Sequence, residues 1–157
     1  MRIFQVVLAV SVCAAAGFGI SVARAEQTPK GGASVVVFKS PTCGCCSLWA
    51  EHVRNAGFQV DVQTVGDEKL SAVATEGGVT DDLRSCHTAK VGAYTIEGHV
   101  PASDIQRLVQ EKPAIAGIAV PGMPMGSPGM EQGGRKQPFD TIAFTKAGKK
   151  TVFASHR

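Results

Sequence analysis

Val35-Val36-Val37-Phe38-Lys39-Ser40-Pro41-Thr42-Cys43-Gly44-Cys45-Cys46 passes from four consecutive apolar residues, mostly β-branched, into three thiols within four positions. The apolar run reads as a buried strand, Ser34–Lys39. Ser47–Ala56, closed by Gly57, reads as a helix with Leu48, Trp49 and Val53 on its apolar face. The thiols are therefore expected where a strand ends and a helix begins. Free N–H groups and the positive end of the helix dipole at such a place favour S⁻ over SH. Packing gives no reason for three cysteines in one turn, whereas thiolate chemistry does. Redox exchange, soft-metal binding, or both remain open at this point.

The flanking sequence predicts an α/β domain. Phe58–Val65 alternates apolar and polar residues as a half-buried strand does, and Asp67–Thr75 reads as a short helix closed by Gly77-Gly78. Asp81–Lys90 reads as irregular and Val91–Ile96 as a strand. Pro101-Ala102-Ser103 opens a helix through Glu111 with Ile105, Leu108 and Val109 inward. Ile115–Val120 is a short apolar run, and Pro121 to Met130 is a Pro/Gly/Met loop. Phe139–Phe144, Ala147-Gly148 and Thr151–Ala154 read as a closing hairpin. Helices against a mixed sheet are the expected layers.

The N-terminus has a different character. Arg2 precedes an apolar stretch from Ile3 to about Val22, and Ala23-Arg24-Ala25 has the small-x-small pattern of a cleavage site before Glu26. Residues 1–25 are thus expected to be a secretory signal peptide rather than a membrane anchor, since Ser11, Gly17, Gly19 and Ser21 interrupt the stretch. Cys13 lies inside it, without the small residue that a lipoprotein site needs before the cysteine. Residues 26–33 read as a flexible leader and 34–157 as one domain. Without Arg2 and Arg24, the 16 basic residues fall to 14 against 13 acidic ones, a net charge of +1. Nothing in that balance points to nucleic acid or to a charged membrane surface.

Four cysteines remain after cleavage: Cys43, Cys45, Cys46 and Cys86. In an oxidising compartment four thiols would suggest two structural disulfides. Three crowded into one turn leave at most one long-range staple, to Cys86, so a stabilising framework is not the expectation. Cys43 and Cys46 have the Cys-x-x-Cys spacing of a thioredoxin-type redox pair. Cys45 would scramble a clean dithiol cycle but would add a soft-metal ligand. Adjacent Cys45 and Cys46 point different ways from a helix, which suits bridging several ions better than chelating one. Cys86 is expected to face this cluster, the alternative being a buried small apolar residue.

The histidines divide. His87 is either a ligand or a partner for backbone groups. His99, before Val100-Pro101, is expected to help a helix start, and His52 and His156 to be solvated. Met123, Met125 and Met130 are the only methionines after the initiator and fall within eight residues. Thioethers are soft, neutral ligands that select Cu(I) over hard cations; the alternative is that they cap a core edge. Thiolates with thioethers point to Cu(I), with silver as a second candidate. Zinc sites prefer four closed Cys/His ligands in paired spacings, a pattern absent here. No Ser-His-Asp spacing, phosphate-binding Gly loop or paired-carboxylate motif occurs.

Four co-linear motifs carry a family resemblance. Ser40-Pro41-Thr42-Cys43-Gly44-Cys45-Cys46, Ser85-Cys86-His87-Thr88-Ala89, Ile96-Glu97-Gly98-His99-Val100-Pro101-Ala102, and Ala119-Val120-Pro121-Gly122-Met123-Pro124 through Gly126-Ser127-Pro128-Gly129-Met130-Glu131 resemble the periplasmic CopG-type family. The resemblance implies a thioredoxin-like fold, a periplasmic location and a role in bacterial copper resistance. It also implies a cysteine-bridged copper cluster on Cys43, Cys45, Cys46 and Cys86. Met123 and Met130 match the family's loop better than Met125 does. Copper ions, and other periplasmic copper-handling proteins, are the partners it implies.

Three functions follow as expectations. The first is a copper-binding protein that holds Cu(I) on thiolates and couples metal release to cysteine oxidation. The second is a thiol–disulfide oxidoreductase with Cys43 as nucleophile and Cys46 as resolving thiol. The third is a structural protein with incidental disulfides.

Overall fold

A computed structural model describes residues 32–131 and 133–157. The expected signal peptide, Cys13 and most of the leader lie outside the described residues. Strand β1 (Ser34–Lys39) runs into helix α1 (Gly44–Asn55), which returns to strand β2 (Gln59–Thr64). Helix α2 (Asp67–Glu76) and a 3-10 turn (Asp81–Leu83) lead to strands β3 (His87–Val91) and β4 (Tyr94–Glu97). Helix α3 (Ala102–Glu111) and strands β5 (Gly117–Ala119), β6 (Phe139–Phe144) and β7 (Lys150–His156) complete the order.

The seven strands form one mixed sheet in the order β2-β1-β3-β4-β5-β6-β7. β1/β2 and β4/β5 pair in parallel, each across a helix, as a parallel connection requires. The other neighbours pair antiparallel. This is the α/β mixed sheet with helices that the sequence predicts. Val35 and Val37 alternate with less buried neighbours and point to one face. There they join Trp49 and Val53 of α1 and Ile105 and Leu108 of α3 in the main core. Ala119 and Phe144 join Ala74, Val79 and Leu83 in a smaller cluster, which α2 covers. Ile118 belongs to the first cluster and Ala119 to the second, as a period of two demands.

Two differences from the expected elements matter for the site. Helix α1 starts at Gly44, three residues before the expected start, so Cys43 is its N-cap and Cys45 and Cys46 lie in its first turn. The segment expected as an irregular stretch and then one strand, 81–96, contains the β3–β4 hairpin. Val91 pairs with Tyr94 around Gly92-Ala93, and Gly92 takes a positive φ of 54°. The apolar run hid a turn, and the polar residues His87 and Thr88 form a strand because they lie mid-sheet, fully buried.

Two histidines expected in solvent have partners instead. His52 Nε2 accepts the Ala102 N–H at 3.1 Å, tying α1 to the first residue of α3. His156 Nε2 lies 3.0 Å from Oδ2 of buried Asp104, which also accepts the Thr141 hydroxyl at 2.6 Å. Both partners come from distant elements, so the sequence around each histidine carried no sign of them.

Candidate metal centre

Two turns deliver the cysteines to one end of the sheet. β1 ends at Lys39, and the Ser40–Cys43 turn places three thiols at the α1 N-terminus. The neighbouring antiparallel strand β3 begins at His87, which pairs with Lys39, so Cys86 arrives at the same end. Cys43 and Cys46 are joined by a disulfide, whereas Cys45 and Cys86 are free thiols. The sulfurs of Cys43, Cys45, Cys46 and Cys86 all lie within 4.8 Å of one another. Cys45 Sγ is 3.5 Å from Cys43 Sγ, and Cys46 Sγ is 3.5 Å from the Cys86 carbonyl oxygen. The disulfide closes a three-residue separation and staples no distant elements.

Glu97 braces the Cys86 turn from the next strand. Its carboxylate accepts the Ser85 N–H at 2.9 Å and the Thr88 hydroxyl at 2.7 Å, one on each side of Cys86-His87. Burial raises the Glu97 carboxyl, while those two hydrogen bonds and Arg84 act to lower it. Burial, and then the neighbouring Cys45 sulfur, push the Cys86 thiol up to about 12. Cys86 therefore keeps its proton at neutral pH unless a cation replaces it.

The structure brings two histidines to Cys86. His99 Nε2 lies 3.0 Å from Cys86 Sγ, and His99 Nδ1 lies 2.7 Å from the Pro128 carbonyl. His87 Nδ1 is 3.5 Å from the same sulfur. Its ring packs against Trp49, with centroids 4.3 Å apart, and edge-on to His99 at 5.0 Å. Among the described residues, His87 Nε2 is buried with no hydrogen-bond partner. Burial first, then His99 and Lys39, lower the His87 pKa to about 3, and burial also lowers that of His99. Both imidazoles are neutral at physiological pH, the form that ligates metals.

His99 therefore has a different place from the expected one. It stands beside a thiol rather than serving the start of α3, whose first N–H groups look to Pro101 and His52. The available signal was the histidine between Gly98 and Val100-Pro101 in an otherwise apolar run.

The methionine loop covers the centre. It begins where the Ser85 hydroxyl donates to the Gly122 carbonyl and the Gly122 N–H donates to the Arg84 carbonyl at 3.2 Å. It passes Pro128 over His99 and seats Gly129 on α1. Met123 is 52% exposed, whereas Met125 and Met130 are half-buried. Gly129 has a positive φ of 82°, and a Cβ there would stand 2.8 Å from both the Cys45 carbonyl oxygen and the Trp49 nitrogen. Gly129→Ala is expected to destabilise the protein by more than about 1 kcal/mol, because strained backbone and a backbone clash coincide. Urea unfolding of the variant checks it; an unchanged midpoint would refute the close seating.

The comparisons with known proteins bear on this centre. Residues 83–130, which span Cys86, both histidines and the methionine loop, match the family described as "Protein of unknown function, DUF411". Two solved structures of copper resistance protein CopG, Form 1 and Form 2, are 39% and 38% identical to the chain, with TM-scores of 0.74 and 0.73. Each covers 80% of this chain, and the alignments take in 98% and 99% of theirs. None of the curated proteins matches the chain.

Proposed function

We propose that this chain, which belongs to the CopG-type copper-resistance family, is a periplasmic protein that binds Cu(I) on Cys43, Cys45, Cys46 and Cys86. Met123 and Met130 supply added thioether ligands, and the copper is cargo held for resistance. The observation that carries this reading is the convergence of four sulfurs from two separate turns within 4.8 Å. Thiolates at that spacing bridge soft ions, and a nearby helix N-terminus stabilises their negative charge. The solved relatives' names supply the metal, since both are called copper resistance proteins. We read the β1–α1–β2 unit with its Cys-x-x-Cys turn as thioredoxin-like, and the N-terminal 25 residues as the signal that exports it.

Copper capacity is coupled to cysteine oxidation. In the disulfide form, Cys43 and Cys46 share a sulfur–sulfur bond and have no free thiolate to offer. A dithiol donor that gives two electrons and two protons cleaves that bond and restores both ligands. The same disulfide favours a second reading, thiol–disulfide exchange with Cys43 attacking and Cys46 resolving.

Anaerobic Cu(I) titration of the fully reduced protein separates the two. Uptake of several ions per chain that collapses in Cys45→Ser supports the copper reading. Wild type that takes no copper, with a Cys45→Ser variant retaining full disulfide reductase activity, supports the exchange reading instead.

A further inference from the structure

The end of the sheet away from the cysteines holds a cleft. β3 begins at His87 beside the metal centre and finishes at Val91. There the Gly92-Ala93 turn, Ala33 ahead of β1 and the end of α3 enclose about 440 Å³. Val91, Tyr94, Val109, Pro113 and Ile115 make its apolar walls, and no residue on its lining is acidic. The Tyr94 hydroxyl donates to the Pro113 carbonyl at 3.0 Å, which ties the β3–β4 hairpin to the segment after α3. The cleft is thus built into the fold, and its volume lies in the range of small-molecule sites.

Lys112 is the one charged residue on that lining, and it is exposed. A lysine so placed lays its methylenes on an apolar wall and keeps its ammonium at the edge of water. Among the described residues no carboxylate pairs with it; the neighbouring Glu111 faces Arg107 at 4.0 Å. The Lys112 backbone gives an independent sign. Helices α1 and α2 are left through glycines, Gly57 at φ 97° and Gly78 at φ 87°. Helix α3 is left through Lys112 at φ 48°, the one non-glycine with a positive φ among the described residues. Glycine is the usual residue at such a cap, because a Cβ strains it. Ending the helix does not call for a lysine there, whereas a use for its side chain does.

We infer that this cleft binds a small amphipathic carboxylate from solution, its apolar body against Val91, Val109 and Ile115 and its anionic head on the Lys112 ammonium. Apolar walls favour a hydrocarbon body, and a lone cation favours an acid over an alcohol or an amine. The site is separate from the copper reading and stands whether or not the cysteines hold a metal.

Octanoate is the probe, titrated calorimetrically into the metal-free protein with its Cys43–Cys46 disulfide formed. One octanoate per chain is expected, bound about tenfold more tightly than octanol. Lys112→Gly removes the ammonium and relieves the positive φ, so the variant should fold. It should weaken octanoate binding by at least about tenfold and leave octanol binding unchanged. Lys112→Arg keeps the charge and should stay within about threefold of wild type. A lysine kept only for the helix dipole would alter unfolding and leave octanoate affinity alone. Chemical shifts locate the ligand: the ring of Tyr94, the chain's single tyrosine, should move, and that of Trp49, packed on His87, should not. No saturable octanoate binding, equal affinity for octanoate and octanol, or unchanged octanoate affinity in Lys112→Gly overturns the inference. Contacts to the Tyr94 ring from residues 26–31 or from a second copy, in the ligand-free protein, overturn it as well, since the cleft would already be filled.

Discussion

In the reduced protein, Cys86→Ser is expected to weaken Cu(I) binding by more than about 100-fold, the upper end of what losing only a supporting contact around a metal costs. The expectation follows from where Cys86 comes from. Cys43, Cys45 and Cys46 belong to one turn, and among the described residues Cys86 brings the only thiol from a second element, within 4.8 Å of the other three. It is also the sulfur that both imidazoles approach. Serine has nearly the same shape, Cys86 is only part-buried, and Glu97 holds the turn through Ser85 and Thr88 rather than through the thiol. The fold should therefore survive. Competition titration with a chromophoric chelator measures the effect, with circular dichroism as the control on folding. Affinity within threefold of wild type would remove Cys86 from the ligand set.

The second large effect is an acid instability of the metal-free protein, carried by His87. Its folded pKa of about 3 lies below the ordinary 6.5, so between those values the unfolded chain binds the extra proton. Stability is then full above pH 6.5 and declines as pH falls toward 3, by up to about 1.4 kcal/mol per pH unit. Lowering of the His99 pKa by burial acts in the same direction. Glu97 opposes them. Its carboxyl is raised above 4.5, so the folded chain binds more protons there and gains stability as pH falls through that window. His87→Leu removes the largest contribution; among the described residues Nε2 has no partner to lose, and the polar contact given up is the 3.5 Å one from Nδ1 to Cys86 Sγ. Urea unfolding of reduced, chelator-treated protein should show a shallower loss below pH 6.5 in the variant. An unaltered slope would mean that His87 does not carry it.

Much of this fold was legible because its signals are local. The β-branched run 35–38, the helix stop at Gly57 and the alternating 58–65 segment each satisfy a rule spanning a few residues. The β3–β4 hairpin was not legible, since Val91–Ile96 looks continuous and His87–Lys90 looks too polar for a strand. Both impressions reverse only when β1 and β5 lie on either side and supply the burial. His52, His156 and His99 were misread for a related reason: each is defined by a partner 13 to 52 residues away.

By itself, the sequence determined that a cysteine cluster without a packing explanation sits at a strand–helix junction. It also determined the α/β class, through hydrophobic periods that neighbouring residues set. Only the tertiary structure decided which atoms converge on Cys86. Sheet pairing of Lys39 with His87 brings residues 43 and 86 to the same end, and the seating of Gly129 on α1 carries the Pro128 carbonyl to His99. Donor identity is a property of the chain, whereas donor distance is a property of the packed sheet.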